Sequence, residues 1–230
     1  MSSIVTVSQL SPDRRFEFIR QTYTHVIGSF GCLAFLSWVL FNSGFGEWFY
    51  NLINVYAFSW LIVLGGFTLL GRISSFYAEK VDRGSQYLGL GISIIAESLI
   101  FAPLIYAVYE NAGSNAITSA VIGTIVMVGA LTAVVGASKS DFSYLDGVLK
   151  VLGWISLAFI ITSVMFGFSL GTLFSYAMIG LAGGYIVYDT SRILNDQSED
   201  NYVAAALELF SSIALLLWYL MTIFGDDEDD

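Results

Sequence analysis

Only one cysteine, Cys32, and one histidine, His25, occur in the 230 residues. A single cysteine makes no internal disulfide, and without any CxxC pair the usual zinc-ribbon and dithiol chemistries are gone. One imidazole excludes every site built on two or three histidines. Proline occurs twice, and Lys plus Arg nine times. Against 19 acidic residues this leaves a net charge of −10 with no basic cluster, which argues against a nucleic-acid partner. No glycine-rich phosphate loop ending in Gly-Lys-Ser or Gly-Lys-Thr is present, and no dinucleotide fingerprint follows a strand. Charged residues make up 12% of the chain, about half the share in an ordinary soluble domain. What is abundant is apolar: 56% of the residues are hydrophobic, and the mean hydropathy is +0.73. These values indicate an all-α integral membrane protein of a single domain.

A helix needs about 20 mostly apolar residues to cross a bilayer. Candidate spans run over Thr22–Phe41, Val55–Ile73, Tyr87–Tyr109, Asn115–Ala137, Val151–Phe168, Leu170–Tyr188 and Val203–Phe224. Helices are expected because every backbone amide must be paired within its own segment, and no alternating strand pattern of a barrel is seen. Residues Met1–Arg20 do not read as a cleavable leader, since the apolar run behind them is long and no small-residue cleavage site follows. The expected organisation is an N-terminal segment over 1–21, a membrane domain over 22–224 and an acidic tail over 225–230.

The basic residues test this division. Arg14, Arg15 and Arg20 precede span 1; Arg72, Lys80 and Arg83 lie between spans 2 and 3; Lys139 and Lys150 lie between spans 4 and 5; Arg192 lies between spans 6 and 7. Seven crossings put all nine on one side and none on the other. The positive-inside rule then expects a cytoplasmic N-terminus and an external C-terminus. The block Asp226, Asp227, Glu228, Asp229 and Asp230 reads as a solvated end, with a cation-attracting external mouth as the alternative. Gly180-Leu-Ala-Gly-Gly184 in span 6 is a small-residue pattern that permits close helix contact. Pro103 removes a backbone bond in span 3 and is expected to kink it, for packing or as a hinge.

Charges at membrane depth are costly unless paired or hydrated. Those inside or bordering the spans are His25, Arg72, Glu97, Asp189 and Glu208. Asp189 is placed at the end of span 6, and Glu208 about five residues into span 7. As antiparallel neighbours, these spans bring the two carboxyls to one depth, and Arg72 at the end of span 2 reaches the same layer. Two carboxyls in low dielectric do not both ionise cheaply, so they are expected to titrate as a unit and to share a proton. Loss of that proton calls for compensation by Arg72 or by a hard divalent cation such as Ca²⁺. The alternative is that both acids are ordinary interfacial residues. Glu97, mid-span, reads either as a carboxyl lining an ion path or as a neutral acid bonded to a neighbouring helix. His25 and Cys32 read as packing residues.

These residues also carry a resemblance. Tyr185-Ile-Val-Tyr-Asp-Thr190, Ala206-Leu-Glu-Leu-Phe-Ser-Ser212, the segment from Gly136 to Leu145 and the span 3 stretch ending at Pro103 together resemble the Bax inhibitor-1 (transmembrane Bax inhibitor motif) family, bacterial type, over nearly the whole chain. The resemblance implies six helices around a central seventh and a pH-sensitive calcium leak. It implies an acidic sensor pair between spans 6 and 7, falling on Asp189 and Glu208, and a basic partner at the end of span 2, falling on Arg72. The sequence departs from the family pattern at Glu208, where Asp is usual, and at Glu97, where a small or polar residue is usual.

The functional expectation is a non-enzymatic cation leak in a bacterial inner membrane. The protonated pair holds it closed, Glu97 lines its path, and no cofactor is expected beyond calcium as the transported ion. The alternative is a regulator that binds other membrane proteins, a protease modulator or cell-death suppressor, with partners on Met1–Arg20 or the lateral surface. Enzyme readings are set aside. Asp189 lies in Tyr-Asp-Thr, outside the Gly-x-Gly-Asp setting of intramembrane aspartyl proteases; His25 alone does not hold zinc; and a retinal pigment needs a lysine in the last span, whereas the last is Lys150.

Overall fold

The computed structural model describes residues 6–56, 58–80, 82–138 and 140–226. They form α1 (Pro12–Asn42), α2 (Phe45–Ile53), α3 (Ser59–Ala78), α4 (Arg83–Ser138), α5 (Leu145–Phe166), α6 (Gly171–Asn195) and α7 (Tyr202–Gly225). The helix ends follow local chemistry. Pro12 opens α1, where its missing N–H costs nothing. Asp82 caps α4 by accepting the amides of Ser85 at 2.8 Å and Gly84 at 3.3 Å. Hydrogen bonds from Ser85, and then from Gly84, hold the Asp82 carboxyl below its ordinary range. Gly167 ends α5 with a left-handed φ of 70°, its amide returning to Ser163 O at 2.8 Å.

Among the described residues, six helices are long and apolar enough to cross a membrane. The longest, α4, has 56 residues, and a straight helix of that length would run about 84 Å, far beyond a hydrocarbon core of about 30 Å. It does not run straight. Gly113 adopts φ 75° and ψ −176°, a conformation open essentially to glycine, and the chain reverses there. The arms on either side run in opposite directions along α7, the first parallel to it and the second antiparallel. Val108 of the first arm lies against Gly225, while Gly123 of the second lies against Leu220 and Phe224, and Leu131 farther along lies against Gly183 of α6. The connection left between the candidate spans ending at Tyr109 and starting at Asn115 is thus compressed to one residue with helix on both sides.

α7 is the enclosed element. In its most apolar stretch 67% of residues are buried, against 33% or less in the other long helices. Leu209, Phe210, Ala214 and Leu216 are wholly inaccessible. α1, both arms of α4, and α6 pack around it, with α3 and α5 farther out. Most spans extend beyond the apolar runs that announced them. α1 begins at Pro12, ahead of Thr22, and α6 continues past Asp189 to Asn195. The stretch between the candidate spans ending at Phe41 and starting at Val55 contains α2, seated where Gly46 meets the backbone of Ala102 and exposing Trp48 and Leu52. The described Lys and Arg residues cluster toward one end of the bundle. Lys139 and the tail acids Asp227, Glu228, Asp229 and Asp230 lie outside the described residues.

Candidate functional site

At the basic end, α6 and α7 face each other as antiparallel neighbours. Asp189 and Arg192 are three residues apart on α6, and Glu208 and Ser212 four apart on α7, so each pair shares a helix face. Antiparallel packing turns these faces into two rungs. Ser212 Oγ donates to Asp189 Oδ2 at 2.5 Å, and Arg192 Nη1 donates to Glu208 Oε2 at 2.9 Å. Gln197, from the turn joining the helices, adds a bond to the same Glu208 oxygen at 3.1 Å. Asp189 is buried, while the side chains of Arg192 and Glu208 are 31% and 37% exposed.

The rest of the Tyr185–Arg192 stretch is pinned on other sides. Tyr185 donates its hydroxyl to Leu149 O of α5 at 2.9 Å. Ser191 Oγ accepts the Phe142 amide of the α4–α5 connection at 3.1 Å. Gly184 lies against Leu149, where a Cβ would sit 2.8 Å from Leu149 Cδ2, whereas Gly180 has no neighbour that close.

Two expectations are corrected here. The acids lie in one layer but do not share a proton: among the described residues no hydrogen bond joins them, and each has its own partner across the helix pair. The guanidinium at the site is that of Arg192 and not Arg72. α3 continues past Arg72 to Ala78, leaving Arg72 exposed on its outer side with no ion pair among the described residues. No group of three or more His, Cys, Asp or Glu that could hold a metal ion occurs among the described residues. Asp189 and Glu208, expected as candidate calcium ligands, therefore have no third such residue beside them among the described residues.

Glu97 is buried in the first arm of α4 and lines a cavity of about 770 Å³ between α3, α4, α5, α6 and α7. The cavity reaches from Ser169 and Asp226 at the far end to Ser74, Ser93, Leu207 and Ser211 toward the basic end. Ser93, one turn from Glu97, lies 3.4 Å from Ser211 Oγ, and Ser211 is one turn from Glu208. Polar groups thus lead from Glu97 to the Arg192–Glu208 rung, which stands beyond the cavity floor. His25 has structural partners: Nδ1 contacts Gln21 O at 2.8 Å and Nε2 contacts the Tyr87 hydroxyl at 2.9 Å. A carbonyl only accepts, which assigns the proton to Nδ1.

Residues 15–229 match the family described as Inhibitor of apoptosis-promoting Bax1. The chain belongs to the Bax inhibitor-1 family. It is similar to Protein LIFEGUARD 4 of Arabidopsis thaliana, 26% identical over 219 residues, covering 93% of this chain and 86% of that protein. It is similar to Bax inhibitor 1 of Schizosaccharomyces pombe, 26% identical over 230 residues, covering 95% and 80%. An uncharacterized protein of Pseudomonas aeruginosa is 32% identical over 114 residues, about half of each chain.

This Bax inhibitor-1 family member is a multi-pass membrane protein. Its site includes three residues that sequence reasoning passed over, Arg192, Gln197 and Ser212. The signal for two of them was present. Arg192 is three residues from Asp189 and Ser212 four from Glu208, which are the spacings of one helix face. Gln197 sits in a turn, where no periodicity points to a partner.

Proposed function

We propose that this protein is a pH-sensitive cation leak with calcium as its cargo, lying in a bacterial inner membrane with the basic end cytoplasmic. The observation that carries the proposal is a buried carboxyl group, that of Glu97, on the wall of a cavity whose floor lies one turn from an interhelical ion pair. Carboxylate, hydroxyl and carbonyl oxygens suit a hard cation that tolerates irregular coordination. The acidic far end, with Asp226 on the cavity wall, raises the local concentration of cations. The eight described basic residues gathered toward the opposite end support the orientation.

In this mechanism Asp189 and Glu208 remain the gating acids, and Arg192 takes the place expected of Arg72. The Arg192–Glu208 and Ser212–Asp189 rungs hold α6 against α7 and keep the cytoplasmic end shut. With an ion pair in place of a shared proton the pH sense is the reverse of that expected from the sequence: protonation of Glu208 removes its charge, the attraction to Arg192 is lost, and the start of α7 is free to shift. Cations then pass from the cavity along Glu97, Ser93 and Ser211. The direct test is Ca²⁺ flux into proteoliposomes with Glu97→Gln. Flux reduced severalfold, with folding intact, supports the path; flux equal to wild type removes Glu97 from it.

A second reading is a regulator of other membrane proteins, and family membership favours it, since relatives carry the name Bax inhibitor 1. In that reading the acid rungs serve the fold alone. Stable co-purification of a membrane-protein partner with silent flux assays would favour it over the leak.

A further inference from the structure

The segment ahead of α1 is tied to the turn between α6 and α7. Thr6 forms an antiparallel bridge with Ser198, and the Val7 amide donates to Gln197 O at 2.9 Å. The Val7 side chain is wholly buried as part of the main apolar core. Arg14 pairs with Glu199, and Arg15 Nη2 donates to Leu194 O at 2.9 Å. The turn does not need this strap to close, because the Asp196 and Gln197 amides already return to Arg192 O at 2.9 and 3.1 Å. The strap holds something else in place. Gln197, only 6% exposed, gives its carbonyl to Val7 and its side-chain amide to Glu208.

Building on the leak reading, we infer that residues Thr6–Arg15 are an inhibitory strap that latches the cytoplasmic gate through Gln197. With the strap docked, Gln197 is fixed from behind and holds Glu208 beside Arg192. With the strap released, Glu208 loses one of its two partners and the start of α7 loosens. The inhibitory element is thus a piece of the chain's own N-terminal segment. Whatever removes residues 6–8 from the turn, a competing partner or a change in the charge of Arg14 or Glu199, raises the leak.

Two variants test this independently. Val7→Pro removes the N–H that reaches Gln197. It suits the backbone, because Thr6 is extended at φ −86° and ψ 158° and Val7 opens a short 3-10 turn. Thr6→Cys with Ser198→Cys, in a Cys32→Ser background, locks the strap, since residues paired across an antiparallel bridge lie about 4.5–5.5 Å apart, within disulfide range. Ca²⁺ flux in proteoliposomes and hydrogen exchange over residues 202–212 are measured for both.

The expected result is flux lower in the oxidised than in the reduced double-cysteine protein and higher in Val7→Pro than in wild type, by roughly two- to tenfold for one hydrogen bond. Exchange over 202–212 follows the same order. Equal exchange and equal flux in the oxidised and reduced forms overturn the strap. If wild type and Glu208→Gln are both silent in flux, the leak reading fails. The exchange contrast then decides the strap alone: its presence keeps the latch, and its absence ends it.

Discussion

Arg192 reaches Glu208 at 2.9 Å across α6 and α7, one helical turn from the 2.5 Å bond that Ser212 gives to Asp189. Each carboxylate therefore has a dedicated donor on the opposite helix. The pairing places the interhelical ion pair at Arg192 and Glu208, and it separates the positions of Arg192 and Arg72.

A double-mutant cycle distinguishes the two arginines. Arg192→Gln and Glu208→Gln, alone and together, are expected to show a coupling of about 1–2 kcal/mol in unfolding, the range of a charge-assisted bond at a partly exposed site. The same cycle with Arg72→Gln is expected to give a coupling within about 0.5 kcal/mol of zero, as for distant sites. Equal couplings would contradict the geometry.

Ser212→Ala leaves buried Asp189 without its only hydrogen-bond donor among the described residues. The expected loss is about 1–3 kcal/mol, the cost of a buried acceptor left unsatisfied, and Ser212→Thr is expected to restore most of it. Urea or thermal unfolding in detergent reads both.

Close backbone approach occurs where α3 meets α4, as it does where α2 meets α4, and it is absent at Gly180. A Cβ on Gly89 would stand 2.6 Å from Ser74 O, while one on Gly180 has nothing within 4 Å. Gly89→Ala is expected to destabilise by about 1–3 kcal/mol through overpacking, and Gly180→Ala to be neutral or mildly stabilising as the better helix former. Melting temperatures of the two variants check the contrast.

Outside the spans, Asp82 supplies a pH-dependent cap. Its folded pKa lies below the ordinary value of about 3.9. A depressed folded value stabilises above the unfolded pKa, and the gain is lost as pH falls through the folded one. Asp82→Ala is therefore expected to melt below wild type at neutral pH, with the gap closing below about pH 3.9.

The sequence made the helical spans legible because burial in lipid forces long apolar runs, and those runs stand out in a chain with so few charges. Asp189, Glu208 and Glu97 were legible for the same reason, each being an acid in an apolar setting. Their partners were harder to read. Arg72 and Arg192 both stand near the end of an apolar run, and only the extension of α6 to Asn195 brings Arg192 beside Glu208. The fate of Gly113 was hidden too, since a glycine among polar residues reads as a loop whether the chain turns over one residue or five. The docking of Val7 on Gln197 depends on contacts between distant segments, which no local pattern encodes.

The most direct measurement is Ca²⁺ uptake into proteoliposomes from about pH 8 to pH 5, a window that brackets carboxyl groups displaced by a membrane environment. Wild type, Glu208→Gln and the Asp189→Asn, Glu208→Gln double variant are compared. The predicted result is wild-type flux that rises on acidification, with high flux at every pH when Glu208 is Gln. Wild-type flux that ignores pH, or an unchanged pH response in the double variant, would contradict the gate.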